Sequence, residues 1–284
     1  MHLASAAPTA TPVSYSHSVF AKLPGVDGLA PSSQMVYATS DFNCTQVWAI
    51  TPWGQVELYA TLPIPLASCG EGGIVVAPST CGCGAEIVYV VQEGKVFEIT
   101  NWPTTVTLLA TVTTSHINQD MSITYDQVGL FHHELIVTGS SQSDIWLVNQ
   151  WTGAVTLLTS LGTHQVEGPS IAPIGFGNYG GDLIVPLQLT NQVVAVDPDG
   201  ASTFILDYPM GESVAFANNC NVGLLVANQT AGGIDLYPLS ELTGLTHDGF
   251  VNGEGDKGIA AFGPDGSTTT IAFDTHHTEQ IAFL

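Results

Sequence analysis

Leu183-Ile-Val-Pro-Leu-Gln-Leu-Thr-Asn-Gln-Val193 reads as a β-strand, a short polar loop and the start of a second strand. Apolar residues fill the first limb, and Thr-Asn-Gln interrupts it. The unit recurs at Ile271-Ala-Phe-Asp-Thr-His-His-Thr-Glu-Gln-Ile281, Leu135–Ile145 and Leu224–Ile234, with altered loops at Val36–Val47 and Ile87–Val96. The starts lie at 36, 87, 135, 183, 224 and 271, a step of 41 to 51 residues. A small apolar segment precedes most copies: Ile74–Ala77, Ser122–Tyr125, Ser170–Pro173, Val214–Ala217 and Ile259–Phe262. Another alternating strand follows at Gln55–Leu62, Thr105–Val112, Ala154–Leu161 and Ser202–Tyr208. Four strands per repeat of this length is the period of a propeller blade. The repeats predict an all-β, six-bladed β-propeller with four-stranded blades. An open solenoid or a pair of sandwiches is the alternative.

The ends complete the ring. Ser18–Pro24 resembles the fourth strand of the first repeat, and the last repeat stops short at Leu284. The N-terminal strand is therefore expected to supply the outer strand of the sixth blade and cover a free edge. Residues 1–13 read as a tail and possible subunit contact, and residues 14–284 as one propeller domain. The tail Met1–Pro12 reads as a mature or nearly mature N-terminus.

Composition narrows the function. The chain has 284 residues, 25 acids and 3 lysines, with no arginine. Its net charge of −22 excludes phosphate recognition, so no nucleic acid is expected as partner. No apolar run reaches the length of a membrane span. The low charge, the cysteines and the sequons at Asn43 and Asn228 read as extracellular, or secreted.

An acid precedes each expected inner strand: Asp27, Glu71, Asp120, Glu167, Glu212 and Asp256. In a propeller these positions converge on one mouth of the central channel. Carboxylates gathered there repel one another, so protons or a cation must neutralise them. Oxygen donors in a flexible ring suit Ca²⁺. The plain alternative is six acids that each face solvent or cap a turn. His116 and His164 lie just before Asp120 and Glu167, at the same mouth. They read as a general base and its orienting partner, or as loop histidines bonded to backbone.

Cys44 and Cys69 fall in loops on the same face of neighbouring blades, which predicts a disulfide. Cys81, Cys83 and Cys220 lie on the other face. An odd cysteine there suits a bridge between subunits, or a Cys81–Cys83 link with Cys220 free. Trp53, Trp102 and Trp151 recur every 49 residues in equivalent turns on that face. They read as a contact patch or as covers over the adjacent blade.

Val166-Glu167-Gly168-Pro169, the looser Glu71-Gly72-Gly73 and Lys257–Gly266 (KGIAAFGPDG) carry a resemblance. They are similar to motifs of the six-bladed family of senescence-marker protein and gluconolactonase, with paraoxonase and NHL-repeat propellers more distant. The resemblance implies Glu167 as a metal ligand and a metal-dependent lactonase or esterase, with Glu167, His116 and His164 catalytic. The family's metal-binding Asn has no clean counterpart, since Asp256, Lys257 or Gly258 falls near that position. The first expectation for function is a non-catalytic extracellular propeller that forms a homo-oligomer or filament, or adheres. The lactonase is the alternative, and a glycan- or small-ligand-binding module the third reading.

Overall fold

The computed structural model describes residues 15–64, 70–78, 86–101, 104–112, 120–139, 143–162, 164–218, 221–272 and 277–284. Among them, twenty-four strands form six four-stranded antiparallel sheets.

The first four blades follow the sequence repeat. Blade one is β2 (Val26–Pro31), β3 (Val36–Ser40), β4 (Gln46–Ile50) and β5 (Val56–Thr61). Blade two is β6 (Ile74–Pro78), β7 (Glu86–Gln92), β8 (Lys95–Asn101) and β9 (Thr104–Thr111). Blade three is β10 (Met121–Tyr125), β11 (Leu135–Gly139), β12 (Asp144–Val148) and β13 (Val155–Ser160). Blade four is β14 (Ser170–Ile171), β15 (Leu183–Leu187), β16 (Gln192–Val196) and β17 (Ser202–Asp207).

Blades five and six are interleaved, which corrects the expected repeat boundaries. Blade five starts with β18 (Gly211–Phe216). The chain then leaves it to build β19 (Gly223–Asn228) and β20 (Gly233–Pro238) in blade six. It returns for β21 (Gly249–Gly253), β22 (Gly258–Phe262) and β23 (Thr268–Ala272), and ends with β24 (Thr278–Phe283), the inner strand of blade six. The hairpin at Leu224–Ile234 therefore belongs to the sixth blade. The segment Ile271–Ile281 joins the outer strand of one blade to the inner strand of the next. Ile259–Phe262, expected as an inner strand, is the third strand of blade five. A strand–loop–strand pattern is local, and it fits either neighbouring sheet equally well. The N-terminal strand β1 (Ser18–Lys22) pairs with β20 and completes blade six, as expected.

Six apolar clusters each lie between two blades. One joins Tyr37 and Val47 to Val88 and Phe97, and another joins Phe250 and Ile259 to Leu224 and Ile281. Middle strands such as Leu135–Gly139 are buried on both faces for this reason. The turn after the third strand docks on the preceding blade. A Cβ on Gly153 (φ 68) would sit 2.1 Å from the Leu109 carbonyl oxygen, and one on Gly54 2.1 Å from that of Phe20. Only glycine permits both the left-handed backbone and this approach.

The loop after β10 is organised by one buried carboxylate. Asp126 accepts N–H bonds from Val128 (3.1 Å), Gly129 (2.8 Å), Phe131 (2.7 Å) and His133 (3.0 Å). His132 and His133 take left-handed angles in this loop, and Phe131 is seated in the core between blades three and four. Asp126→Ala is expected to cost about 3 kcal/mol in urea unfolding, because four backbone donors, that of Phe131 buried, lose one buried acceptor at once. A loss below about 1 kcal/mol would show that the loop holds without it.

Candidate functional site: a carboxylate ring at the channel mouth

Each inner strand begins at the same mouth, and an acid stands within three residues of its first residue. Small residues follow several of these acids: Gly28, Gly72, Gly168 and Ser213. They let adjacent inner strands touch. Gly168 bridges Ser213 and Gly72 bridges Met121, both in parallel sense. A Cβ on Gly168 would meet the Ser213 Cβ at 2.3 Å. This close approach brings the preceding carboxylates together.

Asp27, Glu71, Glu167, Glu212 and Glu279 line one void of about 20 Å³. Asp120 is joined to the group through its Oδ1, which accepts the Glu71 N–H at 3.3 Å. Asp27 Oδ2 accepts from the Gly72 N–H at 2.7 Å. One oxygen from each of Asp27, Glu71 and Glu279 lies within 4.8 Å of the others. Five of the six acids read from the sequence are therefore at the mouth. The sixth differs: Asp256 lies in a 3-10 turn between β21 and β22, the second and third strands of blade five. Glu279, near the start of β24, takes the place expected for it. The cause is the interleaving, which makes β24 the sixth inner strand.

Burial and mutual repulsion set the electrostatics. Asp27, Glu167 and Glu212 are held far above the usual carboxylate range, first by loss of water and then by neighbouring carboxylates. Glu71 is pushed up to about 11 by burial, then by Glu279, Asp27, Asp120 and Glu167. Asp41 rises to about 6 through burial and Glu279. Burial raises Asp120 too. Glu167 Oε1 is buried with no hydrogen-bond partner among the described residues.

A second, neutral polar ring stands behind the acids, where the second strand of each blade ends. Its members are Thr39, Gln92, Thr138, Gln188, Asn252 and Asn228, all buried. Thr39 Oγ1 accepts from the Gly28 N–H and donates to the Gly72 carbonyl. Gln188 donates to Glu212 (3.0 Å) and to Glu254 (2.8 Å). Further out, His277 Nε2 lies 2.6 Å from Glu279 Oε1 and 3.6 Å from Glu254 Oε1. Glu279 holds its pKa above the ordinary value, against the opposing effect of burial. Glu254, Asp41 and the neutral ring carry no expectation from the sequence, and His277 reads there only as half of an adjacent histidine pair in a hairpin loop, a poor two-ligand site.

The remaining expected positions divide. His164 is half-buried near the mouth, with its N–H on Ser143 Oγ at 2.6 Å. His116, Cys69, Cys81, Cys83, Cys220, Trp102 and the tail lie outside the described residues; Cys44 is buried. Trp53 is 84% exposed and Trp151 63%, both on the opposite face. Asn228, read as a sequon, is buried in β19 and donates to Asp235, so it is no accessible glycan acceptor.

No protein-family model and no curated protein matches the chain. Solved structures do match. A putative gluconolactonase is similar at 11% identity and TM-score 0.58, over 94% of this chain and 84% of its own. The calcium-binding protein regucalcin of Agrobacterium tumefaciens is similar at 13% identity and TM-score 0.57, over 93% and 79%. A streptogramin B lyase is similar at 11% identity and TM-score 0.56, over 92% and 88%. The likeness is one of fold: the chain shares with them a propeller architecture, six-bladed here as the repeats predict.

Proposed function

We propose that this chain is a calcium-class cation-binding propeller that hydrolyses lactones or related esters at the acidic mouth. One observation carries the reading: buried carboxylates converge on a space the size of a single ion, and among the described residues Glu167 Oε1 has no hydrogen-bond partner there. The donors are all oxygen, which fits Ca²⁺ better than Zn²⁺. Asp27, Glu71 and Glu279 would hold the ion, with Glu167 and Glu212 beside them. When bound, such an ion supplies Lewis-acid polarisation of a carbonyl oxygen. His277 stands at the rim, 39% exposed, against Glu279 and Glu254. Its hydrogen bond to Glu279 orients the ring, and from there it can pass a proton to the alkoxide that leaves when water adds to the carbonyl and a ring ester opens. Likeness to gluconolactonase-type propellers supports the reaction class.

The test is hydrolysis of a panel of γ- and δ-lactones and aryl esters by calcium-loaded protein. Turnover is expected to vanish with chelator and to fall at least about 100-fold in Glu167→Gln. Calcium binding without turnover on any panel member would retire the hydrolase and leave a binding protein. Secretion and self-assembly are the second reading, favoured by the exposed Trp53 and Trp151 on the far face.

A further inference from the structure

The opposite end of the channel is a different place chemically. A cavity of about 430 Å³ opens there, within the size range of small-molecule sites. All six inner strands contribute to its wall, and Gln280 borders both this cavity and the acidic void. Its polar lining is mostly uncharged: hydroxyls of Thr124 and Ser170, and amides such as Gln127 and Gln280. Glu86 is the one ionisable side chain among the described lining residues, and its Oε1 accepts the Ser33 N–H at 3.0 Å. Phe216 and Phe283, from adjacent inner strands, add aromatic surface.

This combination selects by charge and by shape. An anion meets no base and a strongly negative protein. A purely apolar molecule would strip water from hydroxyls and amides without replacing their hydrogen bonds. A ring bearing many hydroxyls satisfies them and lays its C–H face on the aromatic rings. We propose that this far-mouth cavity binds a neutral, hydroxyl-rich ring, such as a monosaccharide, a cyclic polyol or the end of a glycan. The proposal is independent of the chemistry at the acidic mouth.

Saturation-transfer NMR on the full chain tests it, with methyl glucoside, myo-inositol and cellobiose as neutral probes. Glucuronate is the charged comparison. At least one neutral probe is expected to bind with a Kd of about 1 mM, and glucuronate more weakly. Thr124→Val with Gln127→Ala removes two hydrogen-bonding groups and should weaken binding about tenfold. Ser33→Trp, at an exposed rim position, should block it. Glu167→Gln should leave it unchanged, which separates this site from the acidic one. No transfer to any neutral probe, equal binding of glucuronate, or indifference to the cavity variants would overturn the proposal. Loss of binding in Glu167→Gln would also overturn it, by moving the ligand to the other mouth.

Discussion

Stripped of divalent cations, the protein is expected to lose stability as pH rises from about 5 to about 8, and to regain it when calcium is added. The sign follows from the ring. Asp27, Glu71, Glu167 and Glu212 have raised pKa values in the folded state. In the unfolded chain they titrate near the ordinary value of about 4. Between the two, the folded protein binds more protons than the unfolded one, so each rise in pH favours unfolding. The contribution is complete below the unfolded values. It fades through about 6 for Asp41 and continues to about 11 for Glu71. Most proteins with salt-bridged carboxylates behave the opposite way, because pairing lowers those pKa values. Here burial and other carboxylates dominate the shifts, and the chain has only three lysines.

Calcium replaces the protons with a charge that repulsion favours. At a concentration one hundred times its Kd it contributes about 2.7 kcal/mol, a rise of roughly 4–5 °C in Tm for a chain of this size. Scanning calorimetry at both pH values, with chelator and with calcium, measures both effects. Glu167→Gln combined with Glu279→Gln should flatten the metal-free pH dependence and remove most of the calcium response. A metal-free midpoint that is flat with pH, together with no calcium response, would reject the ring as a cation site.

The second large effect is expected at Asn252. Its side chain is fully buried where β18, β21 and β24 meet. Oδ1 accepts from the Ser213 N–H (3.2 Å) and hydroxyl (2.6 Å). Nδ2 donates to the carbonyls of Thr278 (3.1 Å) and Glu279 (2.6 Å). Ser213 Oγ in turn accepts the Ile281 N–H at 2.9 Å. This clasp ties the last inner strand into the ring across blades five and six. Asn252→Leu removes the bonds and leaves buried backbone groups unsatisfied, so a loss of about 4 kcal/mol is expected in denaturant unfolding. Asn252→Asp tests the polarity: its second oxygen faces two carbonyl oxygens, so it should be no better than Leu. A loss under about 1 kcal/mol in both would show that ring closure does not depend on this residue.

Much of this site is legible along the chain. Asp27-Gly28, Glu71-Gly72, Glu167-Gly168 and Glu212-Ser213 pair an acid with a small residue at the head of an inner strand. The neutral ring is legible as well, once sought. Tyr37-Ala-Thr39, Val90-Val-Gln92, Ile136-Val-Thr138, Pro186-Leu-Gln188, Phe250-Val-Asn252 and Val226-Ala-Asn228 each end an apolar strand on one uncharged polar residue. Another charge there would add to the repulsion at the mouth. Glu279 escaped because it follows the loop of an apparent sixth repeat, where an acid reads as an ordinary solvent-facing residue. His277 and Glu254 meet it only through chain segments from different blades.

The amino-acid sequence alone determined the strand pattern, the number of blades, the N-terminal closing strand and five of the ring carboxylates. Apolar alternation, turn residues and acid–small pairs are local properties, repeated with the blade period, and they survive whichever sheet a strand joins. The tertiary structure decided which blade the hairpin Gly223–Pro238 enters, and hence that Glu279 heads the sixth inner strand while Asp256 falls between the second and third strands of blade five. That choice rests on main-chain hydrogen bonding at open sheet edges, the same for every residue, and on distant side chains such as Asn252 and Ser213 that meet only after the ring has closed.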